Sequence, residues 1–109
     1  MDSILAKAGF ISDMDGVIYH GNRILDGVAD FINWMIDNDK KFVFLTNSSE
    51  KTPHELSMKL QRMGLTVPAG NFYTSAMATA EFLHAQKPDC TAYVIGEAAL
   101  TKALYDQKI

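Results

Sequence analysis

Short apolar runs alternate with longer stretches in which apolar residues recur every three or four positions. The first run, Gly9-Phe10-Ile11-Ser12-Asp13, predicts a short strand that ends in Asp13-Met14-Asp15-Gly16, where turn chemistry takes over. From Val28 onward, Val28, Phe31, Ile32, Met35 and Ile36 form the stripe of an amphipathic helix, which Asn38-Asp39 ends. Lys41 to Thr46 is a nearly continuous apolar strand, the pattern of a strand covered on both faces. Thr52-Pro53-His54-Glu55 has capping-box spacing with proline at the first helical position. The helix it opens buries Leu56, Leu60 and Met63 and closes at Gly64. Phe72-Tyr73-Thr74 predicts a third strand. Ser75 is positioned to cap an alanine-rich helix reaching about Gln86, with Phe82 and Leu83 facing inward. Thr91 to Ile95 predicts a fourth strand closed by Gly96, and Ala98 to Tyr105 a last helix carrying Leu100 and Leu104.

Four strands alternating with four helices predict an α/β fold with a parallel, partly Rossmann-like sheet flanked by helices. In such sheets ligands bind beyond the carboxyl ends of the strands. The candidates for chemistry are therefore Asp13, Asp15, Thr46, Asn47, Ser48, Thr74, Ser75 and Gly96. No repeat or low-complexity tract interrupts the pattern.

Composition narrows the classes. The chain has 109 residues, 48% hydrophobic and 21% charged, which is a globular composition of one small domain. A net charge of -3 argues against nucleic acid as a partner. The single cysteine, Cys90, excludes an internal disulfide and a cysteine-rich zinc site, and fits a reducing, cytoplasmic setting. No signal peptide and no apolar run long enough to span a membrane is present.

Asp13 and Asp15 are spaced so that, in an extended segment, both carboxylates point to one side. Two such carboxylates coexist only with a cation, a proton or strong hydrogen bonding, and a hard divalent ion such as Mg²⁺ suits oxygen ligands. Gly16 lets the chain turn tightly and brings backbone N–H groups toward an anion. Thr46-Asn47-Ser48-Ser49 supplies hydroxyls, an amide and backbone N–H groups, the donors that a phosphate oxygen needs where no arginine is present. Each cluster alone is also what an ordinary polar turn contains. Together, at the ends of two strands expected to be neighbours, they favour function.

Residues Phe10 to Tyr19 and Phe42 to Ser49 resemble the haloacid dehalogenase superfamily of phosphatases. They are closest in pattern to its NagD-like subgroup, which includes p-nitrophenyl phosphatase-like and sugar- or nucleotide-phosphate phosphatases. The similarity continues through Thr52-Pro53, Tyr73-Thr74-Ser75-Ala76 and Tyr93-Val94-Ile95-Gly96-Glu97 and covers almost the whole chain. It implies a Mg²⁺-dependent phosphomonoesterase of small phosphorylated metabolites. Asp13 would be the nucleophile that forms an aspartyl-phosphate, and Asp15 the general acid and base. Mg²⁺ would be held by the Asp13 carboxylate and the Asp15 main-chain carbonyl. Thr46 and Asn47 would bind phosphate, with Gly16 shaping the loop.

The resemblance also implies what is missing. Neither the family's later lysine motif nor its further acidic motif is found; Lys87, Lys102 and Lys108 match nothing in that pattern. The cap domain that selects substrate is absent as well. Residues 1–109 therefore read as the N-terminal part of a longer catalytic domain, inactive or weak alone. The family's first strand lies centrally in its sheet, so an open edge is expected here, through which the chain would self-associate. The alternatives are a non-catalytic Mg²⁺- or phosphate-binding or interaction chain, and a receiver-like signalling domain, whose acidic pair and lysine fit poorly. His20, His54 and His84 lack metal-ligand company and read as surface residues. Cys90 lacks a base partner, Trp34 reads as packing, the methionines as core filler, and Glu97 as a first-turn acid favoured by the helix dipole.

Overall fold

The structure is a computed structural model that describes residues 2–48 and 50–109. Ser49 of the Thr46–Ser49 cluster lies outside the described residues. A short helix α1 (Asp2–Leu5) leads into β1 (Gly9–Asp13), followed by a small hairpin of β2 (Tyr19–His20) and β3 (Arg23–Ile24). Then come α2 (Val28–Asp37), β4 (Lys41–Thr46), α3 (Pro53–Arg62), β5 (Phe72–Thr74), α4 (Ser75–Gln86) and α5 (Ala98–Asp106).

The sheet is parallel, in the order β1-β4-β5. Its register sets Phe10 beside Phe42, Asp13 beside Leu45, Phe44 beside Phe72 and Thr46 beside Thr74. Side chains alternate along each strand, so one face carries Phe10, Phe42, Phe44 and Phe72 and the other Ile11, Val43, Leu45 and Tyr73. The phenylalanine face is the core. Phe44 and Phe72 are almost wholly buried, and Phe44 has ring centroids 5.4 Å from Phe42 and 5.8 Å from Phe72. Ile32 and Met35 of α2 and Leu56 and Leu60 of α3 close over it. Phe10, Phe31 and Trp34 pack edge to face and stacked at its margin, with centroids 5.6 to 5.9 Å apart, which accounts for Trp34.

β4 was expected to be covered on both faces, and the structure differs. Its burial alternates, and on the second face Ile11 of β1 is 75% exposed and Leu45 40%. The reason is topological. Both β-α-β crossovers, through α2 and α3, deliver their helices to the phenylalanine face. The pair α4 and α5 forms a separate small cluster of Ala76, Ala80, Ala103 and Leu104. The radius of gyration, 15.7 Å, exceeds the roughly 13 Å of a compact domain near this size.

The expected fourth strand does not form. Residues 91–95 make no ladder, and Tyr93 and Ile95 are 94% and 89% exposed. Their β-branched and aromatic composition is a strand preference without a strand partner, and only Val94 packs, against the α4–α5 cluster. Phe82, expected inward, is 62% exposed. The inward stripe of α4 runs Ala76, Ala80, Leu83, and Phe82 falls to one side of it. Phe31 and Ile36, placed on the buried stripe of α2, are each more than two-fifths exposed at its edges.

The expected helix ends hold, with one shift. Thr52 Oγ1 accepts from the Glu55 N–H at 3.1 Å and Glu55 Oε1 from the Thr52 N–H at 3.0 Å, a complete capping box. The chain leaves α3 through Gly64, and the Leu65 N–H returns to the Leu60 carbonyl at 2.9 Å. At α4 the cap is Thr74, whose Oγ1 accepts from the Met77 N–H at 3.1 Å, and not Ser75. The β2–β3 hairpin was not anticipated. Its signal is Gly21-Asn22 between two residues on either side, with Gly21 at a φ of +62° that a two-residue turn favours.

Three outcomes are expected. Leu60→Ala removes a fully buried side chain and should lower stability by about 2–5 kcal/mol in denaturant unfolding, whereas Phe82→Ala should change it by no more than about 0.5 kcal/mol. The hydrogen bond from the Thr52 N–H holds the Glu55 carboxyl below its ordinary value of 4.5, aided by the Thr52 side chain. A lowered carboxyl stabilises the folded state fully above that ordinary value and is lost as pH falls through the lower folded value. Protection of the Thr52 amide against exchange, relative to its intrinsic rate, should fall in that acid window, and Glu55→Gln should remove the dependence. The outer edge of β1 has no strand beside it among the described residues. Light scattering should therefore detect self-association, and a monodisperse monomer with a cooperative thermal transition counts against it.

Candidate functional site at the carboxyl ends of the strands

Parallel pairing brings the ends of β1, β4 and β5 to one edge. Asp13, Thr46, Asn47, Thr74 and Ser75 line a common cleft there, of about 620 Å³, walled by Tyr73 and by Ala78 and Thr79 of α4. Five of the residues singled out in the sequence are thus brought together. Sequence reasoning missed Tyr73 and Thr79. Tyr73 sits in a strand already recognised, but only the register puts it on the cleft side with Asp13 and Leu45.

The site is held by short-range hydrogen bonds. Asp13 Oδ1 accepts from the Met14 N–H at 2.8 Å, which fixes the carboxylate over the strand end. Thr46 Oγ1 accepts from the Ser48 N–H at 3.1 Å, so the hydroxyl proton remains to be donated. The Ser75 hydroxyl donates to the Asn47 carbonyl at 2.9 Å and ties the loop after β4 to the start of α4. Thr74 is buried and spends its oxygen on the α4 cap. The Tyr73 hydroxyl donates to Glu81, which raises the tyrosine pKa, with burial and the carboxylate charge adding to the effect.

Asp15 and Gly16 lie beside this cleft, in the turn that follows β1, and do not line it. Gly16 has a φ of +77°, the left-handed conformation that glycine tolerates best. Its N–H pairs within the turn. It donates to the Tyr19 carbonyl at 2.8 Å, while the Val17 and Ile18 N–H groups both donate to the Met14 carbonyl at 3.1 and 2.8 Å. Met14 is almost fully buried, and the chain folds back over it through these bonds. Asp15 is exposed and bridges to Tyr19. Burial first, and then the charge and hydrogen bonding of Asp15, raise the Tyr19 pKa. Gly96 closes no strand and has no place in the cleft.

Among the described residues no three His, Cys, Asp or Glu side chains come together as a metal cluster. The donors at the strand end are oxygen atoms, the Asp13 carboxylate and the main-chain carbonyls of the adjoining turn. A donor set of that kind fits Mg²⁺, which is bound through one or two carboxylates and keeps several waters. The cleft lining contains no lysine or arginine. No helix among the described residues is long and apolar enough to cross a membrane.

A parallel α/β sheet that delivers a carboxylate, a hydroxyl and an amide to its carboxyl edge belongs to the class of folds whose ligands bind beyond the strand ends. The chain belongs to the haloacid dehalogenase-like hydrolases, whose family model matches residues 10–109. It is 43% identical over 96 residues to the dihydroxyacetone phosphatase of Corynebacterium glutamicum (strain R), a match covering 88% of this chain and 35% of that protein. It is also 43% identical over 95 residues to the ribonucleotide monophosphatase NagD of Escherichia coli (strain K12), covering 87% of this chain and 38% of that one. The solved structure of NagD from E. coli K-12 superposes with a TM-score of 0.87 at 40% identity, over 93% of this chain and 40% of that one. The chain thus spans little more than a third of the length of these curated relatives.

Proposed function

We propose that these residues form the nucleophile-bearing part of a Mg²⁺-dependent phosphomonoesterase that acts on small phosphorylated metabolites such as sugar or nucleotide phosphates. The observation that carries this reading is the meeting of Asp13 with Thr46 and Asn47 in one cleft at the strand ends. The names of the relatives, phosphatases of dihydroxyacetone phosphate and ribonucleotides among them, support it.

The Thr46 hydroxyl and the Asn47 amide hold the phosphate oxygens. Asp13 attacks phosphorus, and the bond from phosphorus to the ester oxygen breaks as the aspartyl-phosphate forms. Asp15 gives its proton to the departing alkoxide oxygen. It then takes a proton from water, whose oxygen attacks phosphorus, frees inorganic phosphate and regenerates the Asp13 carboxylate. The Asp13 carboxylate and the Asp15 main-chain carbonyl would hold Mg²⁺, which would offset the charge between nucleophile and phosphate.

A second reading follows from the absence of any cation in the cleft lining. With no lysine to offset the phosphate charge, residues 1–109 by themselves bind Mg²⁺ or phosphate with little or no turnover. The remaining machinery then belongs to a further part of a longer protein.

In the full-length protein Asp13→Asn should abolish turnover of a phosphomonoester, and retained turnover removes Asp13 as nucleophile. Asp15→Asn should lower kcat by about 10² to 10⁴. Thr46→Val should weaken phosphate affinity about tenfold to a hundredfold, the value of a hydrogen bond to a charged group. Chelation of divalent cations should stop the reaction and added Mg²⁺ restore it; activity in excess chelator contradicts the metal assignment.

A further inference from the structure

Away from the strand ends, α3 and the tip of the β2–β3 hairpin enclose a second concavity of about 500 Å³, lined by Asn22, Lys51, Lys59, Arg62 and Met63. Three of the ten lysines and arginines of a chain with net charge -3 meet there. Lys59 and Arg62 stand three residues apart on α3 and share a face. Lys51 comes from the segment before the helix, and Asn22 from the hairpin turn across the gap.

None of these three cations is in a salt bridge among the described residues. The ion pair they contain, Lys102 with Asp106, is elsewhere. Glu55 lies near Lys51 but gives its carboxylate to the capping box. Lys59 is fixed in place: its Nζ lies 4.5 Å from the Tyr19 ring centroid and donates to the Tyr19 hydroxyl at 3.4 Å. Cations in the last turn of α3 offset the helix dipole, which accounts for Lys59 and Arg62. It does not account for Lys51, which lies just ahead of the helix N-terminus, where the dipole disfavours positive charge. Like charges gathered in a lining that holds no carboxylate repel, and an oxyanion seated among them converts that repulsion into charge-assisted hydrogen bonds.

We propose that this concavity is a second oxyanion site, which takes a phosphate or diphosphate group and is separate from the Asp13 cleft, with which it shares no lining residue. The site stands whether or not the chain belongs to a phosphatase. A bound anion ties the hairpin tip to α3, and the hairpin begins at Tyr19, the residue that bridges to Asp15.

The test is a titration of the full 109-residue chain with sodium pyrophosphate, followed by ¹H–¹⁵N NMR at ionic strength held constant with NaCl. Saturable shifts are expected at Asn22, Lys51, Lys59 and Arg62. The Lys59→Gln/Arg62→Gln variant, with helicity checked by circular dichroism, should bind at least about tenfold more weakly at these positions. Lys51→Gln, outside any helix, should also weaken them, while Asp13→Asn should leave them unchanged. Shifts confined to the strand-end residues, shifts reproduced by NaCl alone, or equal affinity in the variants would each overturn the proposal.

Discussion

The parallel pairing of β4 with β1 on one side and β5 on the other is the constraint on which the rest depends. β4 is the only strand of the three with a partner on both edges, and its Phe42 and Phe44 form the middle of the core. Backbone hydrogen bonds set the register, and the register sets the chemistry. With Asp13 beside Leu45 and Thr46 beside Thr74, the strands finish together and their terminal polar residues meet. A slip of one residue would turn the phenylalanines to solvent and the carboxylate into the core, a large cost on both counts. Core and cleft therefore stand or fall together.

The same pairing explains why the molecule is lopsided. Right-handed crossovers through α2 and α3 place both helices on one face of a short sheet. The other face keeps Ile11, Leu45 and Tyr73 in reach of solvent, and among the described residues no strand lies at the outer edge of β1. Relatives of which this chain spans little more than a third have ample further sequence. The small α4–α5 cluster, built largely on alanine, adds only modest burial and leaves residues 91–95 without a sheet to join. Apolar composition thus runs ahead of what the three-stranded sheet and the helices among the described residues bury.

Electrostatics divides the surface into two unlike regions. The strand-end cleft offers hydroxyls, an amide and a carboxylate with no cation of its own. The concavity beside α3 gathers cations with no carboxylate in its lining. The turn from Asp13 to Tyr19 lies between the two in chain order, and the N–H groups of Gly16, Val17 and Ile18 donate within it.

Much of this was determined by sequence alone. The capping box at Thr52 and Glu55, the closure at Gly64 and the bounds of β1, β4 and β5 depend on residues close in the chain, where local sterics and hydrogen bonding decide. Asp13, Thr46 and Asn47 could be picked out because a polar cluster after an apolar strand is itself a local signal. What only the tertiary structure decided were matters of partnership. Thr91 to Ile95 has the composition of a strand, but a strand exists only with a neighbour. β4 reads as buried on both faces, but coverage is set by where the helices land. Gly16 has the freedom to present its N–H to an anion, yet the fold assigns that N–H to Tyr19. The convergence of Lys51, Lys59 and Arg62 on Asn22 has no local signature, because it joins a helix face to a hairpin tip that packing alone brings together.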